Sequence, residues 1–168
     1  MINNGLFTSK TEERATPQDL FEKLNGRFWF TLDPCSTHEN AKCKEHYTKE
    51  ENGLIQDRSK TAGSIFINPP YWKTIGDRVK KAYEESLKHK NRIVMLLPAR
   101  TDTKRFHNYI YNNDNATIHF IKWRLKFWNS KNSAPFPSMI VVYNTIIGSK
   151  TLQDLIENND LRTNKIEN

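Results

Sequence analysis

Asn68-Pro69-Pro70-Tyr71 sets two hydrogen-bond acceptors on rigid backbone beside an aromatic ring. The Asn68 side-chain oxygen is one acceptor and the Pro69 carbonyl is the other. Prolines fix φ and carry no N–H, so the carbonyls stay where the turn aims them. Tyr71 offers a ring on which a planar heterocycle can stack. This set suits methyl transfer from a sulfonium to an amino group on an aromatic ring. The lone pair of such an amine is delocalised into the ring, which makes it a poor nucleophile. Two acceptors on its hydrogens draw the nitrogen toward tetrahedral geometry and free that pair. The work is positioning and electrostatic stabilisation, without a conventional nucleophile. The competing reading is a strand that ends in a rigid turn, with Tyr71 as packing.

Two further groups carry chemistry. Cys35, His38, Cys43 and His46 are zinc-ligand types at compact spacing, but the spacing matches neither a finger nor a knuckle. Two reduced cysteines and two surface histidines, with no metal, is the expectation. Lys122, Arg124 and Lys126 interleave with Trp123, Phe127 and Trp128. Cations among aromatics suit a nucleic-acid surface, where charges meet phosphates and rings stack on an extruded base. Arg100, Lys104 and Arg105, after another strand end, would extend it. A hairpin with half-buried aromatics is the alternative. No Gly-x-Gly loop follows Asp33-Pro34, where Cys35-Ser36-Thr37-His38 stands instead. A phosphate cradle is not expected, which removes support for an NAD or ATP enzyme.

The 168 residues allow one domain of ordinary size. Lys plus Arg number 26 against 19 Asp plus Glu, a formal charge of +7 that favours a polyanionic partner. The longest apolar run, Ile93 to Leu97, is strand length and no membrane span. No signal peptide is visible at the N-terminus, so the cytoplasm is the expected compartment.

The elements that must position these residues follow from periodicity. Residues 1–15 read as a polar arm, 16–157 as the domain, and 158–168 as a disordered tail. Thr16 is expected to cap a helix, with Pro17 at its first position, Leu20, Phe21 and Leu24 inward, and Gly26 as its end. A strand is expected over 28–32, closed by Asp33-Pro34, then an unpatterned polar stretch over 36–60. Ser64 to Ile67 is a buried strand leading into Asn68. From Ile75, the positions Val79, Ala82, Tyr83, Ser86 and Leu87 recur at helical spacing. Residues 92–97 form a strand and 104–112 a short helix with Phe106, Tyr109 and Ile110 inward. Strands over 117–120 and 138–143 are joined by a long loop. Thr151 caps a last helix with Leu152, Leu155 and Ile156 as its stripe. Continuous apolar strands alternating with helices argue for a mainly parallel sheet covered on both faces, with an antiparallel hairpin at its C-terminal edge. Ligands in such sheets gather outside the carboxyl ends of the strands, where Asp33 and Asn68 stand.

Asn-Pro-Pro-Tyr resembles the amino-methyltransferase signature, shared by enzymes acting on adenine in DNA, guanine in ribosomal RNA and glutamine in proteins. The wider set narrows this. Thr16-Pro17, Asp33-Pro34-Cys35-Ser36, Asn40-Ala41-Lys42-Cys43, Asn52-Gly53-Leu54, Asn68-Pro69-Pro70-Tyr71, the run Leu96 to Thr103, Arg124-Leu125-Lys126-Phe127 and Pro135-Phe136-Pro137-Ser138-Met139 occur in this order. The ordered set, over residues 14–144, resembles the phage-type DNA N-6-adenine methyltransferase family. That resemblance implies a Rossmann-like class I methyltransferase fold, S-adenosylmethionine as donor, and a flipped adenine in DNA as acceptor. It implies that Asp33, with Pro34 and Cys35, holds the methionine part of the cofactor, and that Thr16 and Pro17 pack beside the methionine carboxylate. Asn52 falls where relatives often carry an acid for the cofactor's adenine; here it is an uncharged amide. RNA or protein-glutamine methylation, and a zinc-stabilised nucleic-acid-binding module without catalysis, are the alternative readings.

Overall fold

The computed structural model describes residues 14–71, 74–128 and 130–144. The helix expected from Thr151, the tail and most of the polar arm lie outside the described residues. Among the described residues, three helices, α1 (Gln18–Phe28), α2 (Ile75–Lys88) and α3 (Lys104–Tyr109), pack around six strands. The strands are β1 (Phe30–Asp33), β2 (Glu45–His46), β3 (Ser64–Ile67), β4 (Ile93–Pro98), β5 (Ala116–Phe120) and β6 (Ser138–Tyr143). They form one sheet in the order β2-β1-β3-β4-β6-β5. β2, β1, β3 and β4 run parallel, while β6 lies antiparallel to both β4 and β5. The expected mainly parallel sheet with an antiparallel C-terminal hairpin is therefore present.

Side chains alternate across this sheet with the period-two rule of strands. Phe66, Val94, Leu96, Ile140 and Val142 face α1 and the loop residues Ile121, Leu125 and Phe127. Ile65, Ile67, Met95, Leu97, Val141 and Tyr143 face α2 and α3. The central strands β3, β4 and β6 are buried at every position, which is why they read as unbroken apolar runs. Each such Leu, Ile or Val contributes about 1.5–3 kcal/mol on leaving water.

The strand order places the chemistry. From β1 the chain moves outward to β2, then crosses back to β3 on the other side of β1. The carboxyl ends of β1 and β3 thus flank the reversal point, where a crevice opens. β5 runs in the same direction as β4, with Phe120 and Leu97 both level with Met139. The segments after β4 and β5 therefore leave from the same sheet edge as Asp33 and Asn68.

Several local expectations are corrected. Helix α1 begins at Gln18, with Pro17 as its cap at ψ 136°, so Pro17 is not the first helical residue. Thr16 makes no cap hydrogen bond to the helix; it is 2% exposed and faces Asn68. Gly26 does not end α1, which runs on to Phe28 and stops at Trp29 in the left-handed region, φ 52°. The Asn25 side chain then accepts the N–H of Phe30 and launches β1. Leu87, expected inward, is 61% exposed; Ser86 takes the buried place by donating to the Tyr83 carbonyl. Helix α3 ends at Tyr109, short of Asn112.

Candidate active site

A cavity of about 640 Å³ opens at the reversal point, within the range of about 300–1,000 Å³ usual for small-molecule sites. Thr16, Asp33, Cys35, Asn52, Asn68, Pro69 and Pro70 all line it. Pro17, Pro34 and Tyr71 do not. Pro17 caps α1. Pro34 is buried, and its carbonyl takes the Arg78 guanidinium at 3.4 Å. Tyr71 packs edge-on against Phe127 and Phe136, with its hydroxyl donating to the Leu96 carbonyl at 3.5 Å. Its burial pushes the phenol above its ordinary range, so it stays neutral.

Asp33 ends β1 at the cavity wall, with its side chain buried. Oδ1 accepts the N–H of Cys35 and Oδ2 that of Lys42, both at 3.2 Å. Burial pushes its carboxyl upward; these two N–H groups and the charges of His46 and Lys42 pull it back down. Each oxygen retains a lone pair for a ligand cation. The loop over 52–54 forms another wall. Asn52 sits at φ 50° and its side chain accepts the Leu54 N–H. Gly53 is required there, because a Cβ would run into the Pro34 carbonyl.

The geometry at Asn68 decides what the site can do. Its Nδ2 donates to the Arg14 carbonyl at 2.6 Å and to the Thr16 hydroxyl at 2.9 Å. A backbone carbonyl only accepts, so this contact sets which end of the amide is nitrogen. Both amide hydrogens are engaged. Oδ1 is buried and has no hydrogen-bond partner. A buried acceptor left open in a cavity wall is rare and costly, and marks where a donor from outside is received.

Sequence patterns did not single out several of the cavity's polar residues. Arg14, Lys49 and Arg78 line it. Arg78, on α2, reaches across to the Cys35 sulfur at 2.7 Å, a pairing 43 residues apart. Burial pushes the Cys35 thiol up to about 11 despite that neighbour, so it is no thiolate nucleophile at neutral pH. Arg58 is 3% exposed, pairs with Glu85 at 3.1 Å and donates to the Gly53 carbonyl at 2.6 Å, bracing the 52–54 wall. Glu85 lies among the charges of α2, and nothing in that pattern marked it as the partner of a buried arginine.

The zinc-type residues do not converge. Cys43 packs against the α1 side of the sheet and Cys35 against the α2 side. His38 Nδ1 and His46 Nε2 meet each other at 2.9 Å. Among the described residues no three His, Cys, Asp or Glu form a group that could hold a metal ion.

The matching model among protein families is the DNA N-6-adenine-methyltransferase (Dam) model, over residues 6–165. The chain belongs to this family. A DNA N-6-adenine-methyltransferase of Haemophilus phage HP1 is 29% identical over 136 residues, 77% of this chain and 76% of the relative. One from Escherichia phage T1 is 37% identical over 93 residues, 55% of this chain but 38% of the relative's length.

In this family member the expected DNA-facing residues divide. Lys122, Arg124, Lys126 and Trp128 are exposed, as are Arg100 and Lys104, while Arg105 is half-buried. Phe127 is a correction: at 2% exposure it is a core residue and not a surface contact. The segment alternates, with Leu125 and Phe127 inward and Lys126 and Trp128 outward, so Trp123 and Trp128 stay exposed with the cations while Phe127 joins the core. Among the described residues no helix is long and apolar enough to cross a membrane.

Proposed function

We propose that this chain binds S-adenosylmethionine in the reversal-point cavity and methylates the exocyclic amino nitrogen of adenine in DNA. The observation that carries this reading is the Asn68 amide, turned so that its buried Oδ1 is open while both N–H groups are held. The family supports DNA adenine as acceptor. The parallel strands and their reversal point support a Rossmann-like class I arrangement.

The residues present fit the cofactor. The Asp33 carboxylate suits an ammonium group, and Thr16 and Asn52 line the same cavity. Nothing in the wall resembles the glycine-rich cradle that a phosphate-bearing cofactor would need. When bound, the cofactor supplies a methyl group on a positively charged sulfur. Asn68 Oδ1 and the Pro69 carbonyl accept the two amine hydrogens and free the nitrogen's lone pair. Pro69 and Pro70 hold that carbonyl rigidly. Adenine must leave the duplex to reach them. Lys122, Arg124, Lys126, Arg100 and Lys104, on the same edge, meet the phosphates. The cytoplasm of a bacterial or phage-infected cell is where this substrate and cofactor meet.

The test offers tritiated S-adenosylmethionine with DNA, RNA and protein side by side. Label recovered as N6-methyladenine in DNA is expected. Label in RNA or on protein glutamine would replace the substrate, and no transfer to any acceptor would overturn the reading.

A further inference from the structure

We propose that Thr16, on the strip Arg14–Thr16, is a positioning residue that aims the accepting oxygen of Asn68, and that the strip is fastened by the segment carrying the exposed cations. The proposal rests on the methyl-transfer reading of Asn68. An asparagine amide is free to turn about its last torsion, and its two ends differ in what they can do. If it flipped, an N–H would face the amine hydrogens and the acceptor pair would be lost. The Arg14 carbonyl and the Thr16 hydroxyl hold the nitrogen end at 2.6 and 2.9 Å, from residues 54 and 52 positions earlier in the chain. Thr16 is 2% exposed, so water does not compete for its place.

The strip is tied on its other side. The Trp128 N–H donates to the Ala15 carbonyl at 3.0 Å. The Arg14 guanidinium lies over the rings of Phe127 and Phe136, at 5.7 and 5.2 Å from their centroids. Phe127 and Trp128 immediately follow Arg124 and Lys126, which are exposed. Arg14, Ala15 and Thr16 thus connect the charged segment to the Asn68 amide. Thr16 acts through Asn68, and its duty differs from contact with a cofactor.

A double-mutant cycle separates these duties. Thr16→Val keeps the shape and removes the acceptor; Thr16→Ser keeps the hydroxyl. Single-turnover methyl transfer to DNA is expected to slow by about tenfold in Thr16→Val and to recover in Thr16→Ser. In an Asn68→Ala background, Thr16→Val is expected to cost nothing further, since residues in one network are not additive. Equal losses in both backgrounds would overturn the proposal and make Thr16 an independent contact. A second readout needs no catalysis. The Asn68 side-chain ¹⁵N–¹H signals of the full chain are expected to exchange slowly with water in the wild type, and to shift and exchange faster in Thr16→Val. Unchanged signals would also overturn it. Methyl transfer absent in every variant, with the amide signals moving as expected, would instead sink the functional reading and leave the strip's role standing.

Discussion

Replacing Asn68 by Asp and by Ala sets stability against rate. In Ala, the Arg14 carbonyl loses its donor at 2.6 Å. Leaving a buried acceptor unsatisfied costs about 1–3 kcal/mol, and each kcal/mol lowers Tm by about 2–4 °C in a chain of this size. In Asp, a carboxylate oxygen stands where Nδ2 stood, against that same carbonyl, so loss becomes repulsion. The Thr16 hydroxyl can turn to donate and offset part of it. Stability is therefore expected to fall from wild type to Ala to Asp. Rate is expected in a different order. Ala removes one of two acceptors, worth about 10²–10³ in turnover, or about 2.7–4 kcal/mol. Asp keeps an oxygen near the Oδ1 position and retains part of the activity; Ser, too short to reach, does worse than Asp. Rapid-quench transfer of tritiated methyl to DNA measures one order and thermal melting the other. If Ala and Asp lose equal rate, or rate simply tracks Tm, Asn68 only shapes the turn and the reasoning fails.

Three other outcomes are expected. Burial raises the Asp33 carboxyl in the folded chain. Its contribution to stability is thus present below the unfolded carboxylate's pKa and lost as pH rises through the folded one. Melting of wild type against Asp33→Asn should shift in favour of the wild type as pH falls from 7, while calorimetry shows weaker cofactor binding in Asp33→Asn at pH 7; an unmoved affinity removes Asp33 from the site. DNA affinity should fall steeply with salt, and replacing Lys122, Arg124 and Lys126 together should reduce the salt slope by about 3. An unchanged slope in a salt titration would place the phosphates elsewhere. Arg58→Met should destabilise by about 1–3 kcal/mol, read in denaturant, because the Gly53 carbonyl loses its buried donor while Glu85 keeps Lys81 at 3.1 Å. A loss under 1 kcal/mol would show the pair to be solvated.

Residues whose neighbours in sequence are also their neighbours in space were the legible ones. β3 and β6 span the expected residues, because burial on both faces leaves an unbroken apolar run after each opening serine. The turn after Ile67 was legible because proline chemistry is local. β2 was not, since Glu45–His46 carries no pattern of its own and is a strand only through pairing with Leu32 and Asp33. Gly26 misled because a glycine is permitted, not obliged, to stop a helix; Trp29 took the left-handed turn instead. The Arg78–Cys35, Arg58–Glu85 and Thr16–Asn68 pairs span 27 to 52 residues, and periodicity does not reach that far. Phe127 was read by composition with its cationic neighbours, while the two-residue alternation around Leu125 would have turned it inward.

The strip beside Asn68 also has a consequence for how mutational data on this chain should read. Ala15 contributes through a carbonyl oxygen, a group that every amino acid possesses, whereas Thr16 contributes through a hydroxyl that few do. A saturation scan would then report tolerance at 15 and intolerance at 16, although both fasten the same three residues. Deleting one residue from the strip would break the Trp128, Arg14 and Thr16 contacts together. Replacing the Ala15–Thr16 amide by an ester, which weakens the Ala15 carbonyl as an acceptor and leaves every side chain in place, would expose a dependence that no side-chain exchange reveals.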